Sequence, residues 1–164
     1  MKSKKKLIVL GGRGIGMIAA SIAELVGDYQ IEGFLNDSLP KGTFIGRFKK
    51  YPVIDTSSEI SEYLGIEEYS FFIAYVGMTR ERETFEKIDA LMIPGWQLAN
   101  LIHPTAVLPE GMCSLGNGIL VGPHAQLSPD TTVGDNCIML GGSFLGHDYY
   151  ETFCPFSNQF CFWG

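Results

Sequence analysis

Hydrophobic residues follow two different patterns along the chain, and the pattern changes near His103. Before His103, short continuous apolar runs alternate with stretches of helical periodicity, which is typical of an α/β domain with a parallel sheet. After His103 no helical period appears, and from Leu115 onward an aliphatic residue recurs at every sixth position. We therefore expect two domains, residues 1–103 and residues 104–164.

The second pattern is a six-residue repeat that runs from Leu115 to Asp148. Its aliphatic positions are Leu115, Val121, Leu127, Val133, Met139 and Leu145. Since neither a helix nor a strand has a period of six, the repeat predicts a parallel β-helix in which these side chains stack along the axis. A glycine follows four of them, and we expect it to supply the backbone conformations of the corners. A one-residue irregularity at 111–114 precedes the strict register, and the register fails after Asp148, so we expect an incomplete β-helix domain.

The first domain opens with a βαβ unit. Lys5–Leu10 is a continuous apolar run, residues 11–16 form a glycine-rich turn, residues 17–26 have helical periodicity, and residues 30–35 form a second apolar run. The expected apolar positions of the helix are Ile18, Ile22, Leu25 and Val26. Strand, turn, helix and strand in this order predict a Rossmann-like domain.

The glycine-rich turn is the first candidate binding site. Backbone N–H groups at Gly12, Arg13 and Gly14 can approach an anion at the N-terminus of the helix. The dinucleotide fingerprint GxGxxG is incomplete, because Met17 occupies the position of its third glycine. We therefore interpret the turn as a nucleotide- or phosphate-binding site that does not use NAD as a redox cofactor. The alternative is a tight turn without a ligand.

Further candidate binding residues follow the strands of the first domain. Asn36 and Asp37 come after the second strand, where an acidic side chain can accept hydrogen bonds from a ribose or a base. Gly77 ends the apolar run 70–76, and Thr79 is the expected N-cap of the next helix. Since open α/β sheets bind ligands at the carboxyl ends of their strands, we assign these four residues to the substrate site. The alternative for Asp37 is an ordinary turn residue.

The remaining elements of the first domain have weaker signals. Residues 51–54 predict a strand, and the sequence TSSE at 56–59 predicts a capping box that opens a helix. The helix after Thr79 has an expected apolar face of Phe85, Ile88, Leu91 and Met92. Residues 96–102 predict a last strand before the domain junction.

Charge and composition exclude several classes of function. The net charge of −6 argues against a nucleic-acid partner, which requires a basic face. No apolar run approaches the roughly 20 residues of a membrane span and no secretory signal is visible, so we expect no membrane partner. The four cysteines form no CxxC pair and no zinc-like spacing, so we expect no metal and a reduced, cytoplasmic protein.

Five sequence motifs occur in a fixed order along the chain: KLIVLGGRGIG at the start, GFLND after the first helix, FFIAYVGMTRER, NLIHPTAVL, and the hexapeptide array that ends in GHD. Together they resemble the bacterial sugar acyltransferases of the sialic-acid O-acetyltransferase and UDP-4-amino-sugar N-acetyltransferase kind. The resemblance covers nearly the whole chain as far as Asp148. It implies a left-handed parallel β-helix, a homotrimer, and a role in surface polysaccharide or glycan biosynthesis.

The resemblance also implies the substrates and the catalytic residues. The Rossmann-like domain would hold a nucleotide-linked amino sugar, most simply a UDP-linked one, and acetyl-CoA would lie along the β-helix, where we assign Gly146 to its site. His147 of the GHD motif would be the general base, and Asp148 is the adjacent carboxylate that can orient its ring. Three positions depart from the family pattern. Ile15 stands where a histidine is common, and Leu140 where an asparagine is often found. Phe156, or Pro155 if a gap is allowed, stands where the family has a second histidine on the acetyl-CoA side of the site.

Two other functions are compatible with parts of the sequence. One is a catalytically impaired nucleotide-sugar-binding or assembly module, because we expect coils that complete the CoA groove to be missing. The other is a zinc enzyme similar to the γ-type carbonic anhydrases, but only His124 and His147 lie in the array, whereas a catalytic zinc site needs three protein ligands. We expect His124 to be a solvated turn residue and His103 to be structural.

Overall fold

A five-stranded sheet forms the first half of the computed structural model, which describes residues 4–75, 81–146 and 150–153. Its strands are β1 (Lys5–Leu10), β2 (Tyr29–Leu35), β3 (Phe44–Ile45), β4 (Tyr51–Asp55) and β5 (Tyr69–Ile73). The spatial order is β3-β4-β2-β1-β5, and every neighbouring pair is parallel except β3 with β4. The four parallel strands all begin at one edge of the sheet, the amino edge, and all end at the other, the carboxyl edge.

Helix α1 (Ile15–Val26) packs on one face of the sheet through small side chains. Its buried residues are Gly16, Ala19, Ala20, Ile22 and Ala23. The expectation of a wider apolar face is wrong for Ile18 and Leu25, which are exposed. The reason is the close approach of the helix to the sheet: a Cβ atom on Gly16 would lie 2.9 Å from the ring of Phe34. The stripe of small residues therefore decides which side of the helix faces the sheet.

Helix α2 (Glu81–Ala90) lies on the opposite face of the sheet. Ile88 and Leu91 are buried in the core of that face, as predicted. Met92 is exposed, so its assignment to the apolar face is wrong. Its φ of 51° is left-handed, and this conformation just beyond the helix turns the side chain away from the core that contains Ile88 and Leu91.

The segment after β4 is a 3-10 helix, Ser57–Glu62, which buries Ile60 against the same face as α2. The predicted capping box at 56–59 is wrong. Thr56 occupies the N-cap position, but its side chain makes no capping hydrogen bond and lies instead 2.6 Å from the hydroxyl oxygen of Ser58. Serine and threonine hydroxyls compete with the backbone in this way at helix starts.

The predicted strand at 96–102 is wrong over most of its length. Gly95–Gln97 is a 3-10 helix, Leu98 makes a single parallel bridge with Phe71, and only Leu101–Ile102 is a strand. The fully buried side chain of Gln97 explains the departure, because its hydrogen bonds are all to the backbone of residues 63–69, which precede and begin β5. A buried amide that is satisfied in this way holds the chain in a turn rather than in a sheet.

From Leu101 onward the chain forms a three-sided parallel β-helix. Its strands are β6 (Leu101–Ile102), β7 (Cys113–Leu115), β8 (Leu120–Val121), β9 (Gln126–Leu127), β10 (Thr131–Asp135), β11 (Ile138–Met139), β12 (Phe144–Leu145) and β13 (Tyr150–Phe153). They form the sheets β6-β8-β11, β7-β10-β13 and β9-β12. All six predicted aliphatic positions belong to one core, in which Ala125 and Cys137 fill the small positions.

The coils of the β-helix contain 18 residues, except for the first. The β11–β8 and β12–β9 pairs have a spacing of 18 residues. Leu101 pairs with Leu120 at a spacing of 19, whereas Cys113 pairs with Thr131 at a spacing of 18. One extra residue therefore lies between Leu101 and Cys113, where the sequence shows the irregularity at 111–114.

Left-handed backbone conformations mark one corner position in every six residues. These positions are Gly118, His124, Asp130, Asn136 and Gly142, with φ between 57° and 75°. The glycines that follow the aliphatic positions do not have positive φ, so their expected role is wrong. At Gly116 and Gly122 the glycine is needed because neighbouring coils approach closely: a Cβ atom on Gly122 would lie 2.6 Å from the backbone nitrogen of Gly141 in the next coil.

The predicted fold class is confirmed: an α/β Rossmann-like domain with a parallel sheet is followed by a hexapeptide-repeat β-helix. Backbone pairing continues past Asp148, where the sequence register fails, because β13 is parallel to β10. Within the described ranges, the helices are all too short or too polar to cross a membrane.

Candidate functional site

The glycine-rich turn lies at the carboxyl edge of the sheet, between β1 and α1. Gly11 has a φ of 127°, and a Cβ atom there would lie 3.1 Å from the carbonyl oxygen of Ala74, so the position requires glycine. Gly14 is the N-cap of α1, with a φ of 79° and no side-chain capping hydrogen bond. Arg13 and Gly14 are exposed. The first turn of α1 therefore begins without a side-chain cap and beside an exposed cation, an arrangement that suits an anionic ligand.

Asn36 joins the loop after β2 to this turn. Its Nδ2 donates a hydrogen bond of 2.8 Å to the carbonyl oxygen of Gly11, and its Oδ1 accepts from the N–H groups of Ser38 and Leu39 at 2.9 and 2.8 Å. A Cβ atom on Gly12 would lie 3.0 Å from the same Nδ2. The side chain thus fixes the relative position of two loops at the predicted substrate site, because all three of its hydrogen bonds are to backbone groups.

Asp37, next to Asn36, holds a second junction at the carboxyl edge. Its Oδ1 accepts a hydrogen bond from the N–H of Ser57 at 2.7 Å, and its Oδ2 accepts from the Ser57 hydroxyl at 2.9 Å and from Lys87 Nζ at 2.6 Å. The carboxylate therefore connects the loop after β2 with the start of the 3-10 helix and with α2. Since the side chains of Lys87 and Asp37 are 45% and 36% exposed, the junction remains open to solvent and to a ligand.

Lys87 is a residue that sequence reasoning missed. It is separated from Asp37 by 50 positions, and the helical pattern of α2 makes it an ordinary charged surface residue. Its ammonium also lies 4.3 Å from the centroid of the Tyr75 ring, within the range of a cation–π contact. The only signal in the sequence is a basic residue in the last turn of α2, which does not specify a partner.

The charges at this junction stabilise one another. Burial pushes the pKa of Asp37 up, but the hydrogen bonds from Lys87 and Ser57 outweigh it and hold that pKa below its ordinary value. Burial pushes the pKa of Lys87 down, but its hydrogen bond to Asp37 and the nearby charges raise that pKa above the ordinary value. Burial raises the pKa of the Tyr75 hydroxyl, and the charge of Lys87 partly opposes this. An ionised pair at neutral pH follows from these directions.

Gly146 directly follows β12 in the third coil, and its carbonyl oxygen accepts a 3.2 Å hydrogen bond from the hydroxyl of Thr131 in the second coil. The other predicted site residues, Gly77, Thr79, His147 and Asp148, lie outside the described residues. The structure thus brings Gly12 and Asn36 together, and it joins Asp37 to Lys87.

His103 and His124 meet through one hydroxyl group at a corner of the β-helix. The Nδ1 atom of His103 lies 2.9 Å from the Thr105 hydroxyl oxygen and accepts a 3.1 Å hydrogen bond from the Thr105 N–H. The same hydroxyl oxygen accepts a 3.1 Å hydrogen bond from the N–H of His124. Because Nδ1 accepts from a backbone donor, the neutral ring of His103 carries its proton on Nε2. In the described part of the chain, no three His, Cys, Asp or Glu side chains are grouped to hold a metal.

Two of the positions that depart from the family pattern, Ile15 and Leu140, are partly buried, and the third, at Phe156 or Pro155, lies outside the described residues. Ile15, the first residue of α1, packs against the core beneath that helix. Leu140 lies in the corner after β11, and its carbonyl oxygen accepts a 2.7 Å hydrogen bond from the hydroxyl of Ser143. The apolar side chain at each position offers no polar group to a ligand.

Solved structures of acetyltransferases have this architecture. The acetyltransferase domain of PglB from Neisseria gonorrhoeae FA1090, in complex with acetyl coenzyme A, is 26% identical with a TM-score of 0.68, over 89% of this chain and 66% of that chain. The same domain in a second structure matches at 26% identity and a TM-score of 0.70. PerB from Caulobacter crescentus, in complex with CoA and GDP-perosamine, shares the fold at 21% identity and a TM-score of 0.66, over 90% of this chain and 65% of that chain.

The chain therefore spans about two thirds of the length of these structures. No match was found among curated proteins. Residues 6–87, half of the chain, match the PglD N-terminal domain family. The chain belongs to the PglD N-terminal domain family, and its β-helix is similar to that of the PglB acetyltransferase domain.

Proposed function

We propose that the protein transfers an acetyl group from acetyl-CoA to a nucleotide-linked amino sugar and acts as a cytoplasmic homotrimer. The observation that carries the proposal is the order of two parts in one chain. A PglD N-terminal domain precedes a β-helix, and the whole aligns over 89% of its length with a PglB acetyltransferase domain whose structure contains acetyl coenzyme A.

The carboxyl edge of the sheet would bind the nucleotide end of the acceptor. The backbone at Gly12, Arg13 and Gly14 and the uncapped start of α1 suit a diphosphate. Asp37 suits a ribose or a base. A carboxylate has about four acceptor sites, and the three hydrogen bonds from Ser57 and Lys87 leave one of them free, on Oδ1. Gly77 and Thr79 belong to the same proposed site because they follow β5.

The acetyl transfer itself would take place at the third coil of the β-helix. The amino group of the sugar attacks the thioester carbonyl carbon, a C–N bond forms, and the C–S bond breaks as CoA leaves. The attacking nitrogen must lose a proton, and we assign its uptake to the neutral imidazole of His147, since the imidazolium that forms ordinarily has a pKa of about 6.5, near the working pH. Asp148 would orient the imidazole. Acetyl-CoA would lie along the coil that contains Gly146, whose backbone can help to position the thioester.

Two nucleotide classes should be tested as acceptors. A UDP-linked 4-amino sugar is our first choice, because the sequence resembles that class of N-acetyltransferase. A GDP-linked sugar is the second, because PerB was crystallised with GDP-perosamine. Neither choice rests on a base contact, since Asp37 can accept a hydrogen bond from either base or from the ribose.

The decisive experiment measures acetyl transfer from acetyl-CoA to a panel of UDP- and GDP-linked amino sugars, together with calorimetric binding of the same sugars. We expect transfer to at least one acceptor and a loss of about a hundredfold or more in kcat for His147→Ala, with acceptor binding retained. Equal activity of His147→Ala and the parent would disprove the general base. Binding without any transfer would favour the alternative of a nucleotide-sugar-binding module.

A further inference from the structure

The basic residues of this acidic protein are concentrated at one edge of the sheet. The net charge of the chain is −6, yet six of its 12 Lys and Arg residues lie in the segments 4–6 and 47–50. The first segment leads into β1 and the second into β4. Because these strands run in the same direction as β2 and β5, both segments are at the amino edge, opposite the proposed substrate site.

The carboxylate of Glu24, near the end of α1, connects the two segments. It forms an ion pair with Lys49 and accepts a 2.9 Å hydrogen bond from the hydroxyl of Tyr51. Burial pushes the pKa of Glu24 up, but Lys49, Tyr51 and the charge of Lys4 together hold it below its ordinary value. One carboxylate therefore faces cations from both segments.

The turn between β3 and β4 adds apolar surface to this charge. Phe48 is 92% exposed, and Phe44 on the preceding strand is 57% exposed. The guanidinium carbon of Arg47 lies 5.4 Å from the centroid of the Phe48 ring. Leu25, beside Glu24 at the end of α1, is also exposed. A large aromatic side chain that is almost fully exposed, and that lies in a turn with Arg47, Lys49 and Lys50, is unusual on a monomeric surface.

We propose that this surface, which we call the docking edge, binds the surface of an anionic phospholipid bilayer. The docking edge consists of Lys4, Lys5, Leu25, Arg47, Phe48 and Lys50. Its cations attract lipid phosphates, and the ring of Phe48 enters the region between head groups and acyl chains. The expectation of no membrane partner rested on the absence of a spanning segment, whereas peripheral docking requires only such a surface.

A bilayer fits this surface better than an acidic macromolecule does. The rest of the chain carries a net negative charge larger than that of the whole protein, so a polyanion that wraps around the domain would be repelled. A planar anionic surface meets the docking edge alone. The parallel strands run from the docking edge to the carboxyl edge, so a docked protein keeps its proposed substrate site turned towards the solvent.

Acidic groups at the same edge limit the strength of binding. Asp28 and Glu67 precede β2 and β5, and Glu68 forms a 3.1 Å ion pair with Lys6. We therefore expect weak and reversible docking that depends strongly on ionic strength, as for other surfaces with one apolar anchor and a few cations.

Sedimentation of the whole protein with lipid vesicles tests the proposal. Vesicles that contain phosphatidylglycerol should bind the protein at low salt, and vesicles of phosphatidylcholine alone should not. Arg47→Ser and Lys50→Ser should each lower the partition coefficient about fivefold, which corresponds to the roughly 1 kcal/mol expected for each cation near an anionic surface. Phe48→Ser should lower it several-fold at every salt concentration, because the apolar contribution is not screened.

Two matched variants serve as controls. Lys41→Ser removes an exposed lysine that pairs with Asp55 at the carboxyl edge, and Phe144→Ser removes a half-exposed aromatic from the β-helix. Neither should change the partition coefficient. Equal binding to neutral and anionic vesicles, no binding to either, or an equal effect of Lys41→Ser and Arg47→Ser would overturn the proposal.

A further result would also overturn it. If Phe48→Ser changed the oligomeric state of the protein without lipid, the docking edge would be a contact between copies of the chain. Acetyl transfer in solution should be the same in all docking-edge variants, so a failure of this proposal is distinguishable from a failure of the proposed enzymatic activity.

Discussion

Lys87 donates a 2.6 Å hydrogen bond to the carboxylate of Asp37 across 50 positions of sequence. The same carboxylate accepts two hydrogen bonds from Ser57, so α2 and the segments that follow β2 and β4 all meet at one side chain. The orientation of Asp37 therefore depends on Lys87, a residue of α2. The same contact decides which oxygen atom of Asp37 is free to accept a hydrogen bond from a ligand.

Replacement of that lysine should weaken acceptor binding more than catalysis. We expect Lys87→Met to raise the KM for the nucleotide sugar about fivefold with little change in kcat, since an ion pair that is roughly half exposed contributes about 1 kcal/mol. Calorimetric titration with the free nucleotide should show the same loss in affinity. Lys87→Arg should retain most of the affinity, because it keeps the charge.

Lys49→Met is the matched control for this prediction. It also removes an exposed ion pair, with Glu24, but at the amino edge of the sheet. An equal loss of nucleotide affinity in Lys49→Met and Lys87→Met would show that Asp37 does not need its specific partner.

The same pair predicts how stability depends on pH. The folded-state pKa of Asp37 is lowered, so its contribution is present above the unfolded value of about 3.9 and is lost as pH falls through the folded value. The folded-state pKa of Lys87 is raised, so its contribution is present below about 10.4 and is lost as pH rises through the folded value. The difference in Tm between the parent and Asp37→Asn should therefore be largest near neutral pH and should shrink at both extremes. A constant difference from pH 3 to pH 7 would mean that Asp37 contributes by packing rather than by charge.

The buried amide of Gln97 should be among the most sensitive polar side chains of the first domain. Its Oε1 accepts from the N–H of Gly65 at 2.8 Å, and its Nε2 donates to the carbonyl oxygens of Tyr63 and Ile66 at 3.1 Å. Gln97→Leu removes these hydrogen bonds at a fully buried position, so we expect a loss of about 2–4 kcal/mol in the free energy of unfolding. Urea denaturation measures this loss, and the exposed Gln126→Leu variant should show a change below about 0.5 kcal/mol.

Two glycines of the β-helix should respond differently to the same substitution. Gly142→Ala meets open space, so it costs only the left-handed conformation, about 1 kcal/mol. Gly122→Ala places its Cβ atom 2.6 Å from the backbone nitrogen of Gly141, and backbone atoms of a neighbouring coil can shift only by opening the β-helix. We expect a cost of about 3 kcal/mol or more for Gly122→Ala in urea denaturation. A larger cost at Gly142 would show that backbone conformation, rather than the distance between coils, decides which glycines are required.

The β-helix could be predicted almost completely from the sequence because its signal is local and repeated. Each of the aliphatic positions from Leu115 to Leu145 has the same environment one coil away, so a single period specifies the register of all of them. The corners were less predictable. Three of the five left-handed positions are not glycines but His124, Asp130 and Asn136. The expectation that glycines form the corners missed them, although polar residues such as Asn and Asp tolerate this conformation.

The main strands and helices of the Rossmann-like domain were predictable, but the contacts between them were not. Continuous apolar runs located β1, β2 and β5, but the face of α1 that is buried depends on the distance between helix and sheet, which hydrophobicity does not encode. For that reason the alanines of α1 are buried against the sheet, whereas Ile18 and Leu25 are exposed. The link between Asp37 and Lys87 was out of reach, because it joins two surface residues whose proximity exists only after the sheet has formed.

The extra residue in the first coil shows where the β-helix tolerates a change in length. Spacing between paired strands falls from 19 residues at Leu101 to 18 at Cys113, and the surplus is taken up before β7 without disturbing the stacked core. A single residue inserted inside a strand would instead turn the following side chains of that strand from the core to the solvent, or from the solvent to the core. Natural variation in this architecture should therefore consist of small insertions in corner loops and of whole turns gained or lost by duplication, so that such a protein can grow longer without being redesigned.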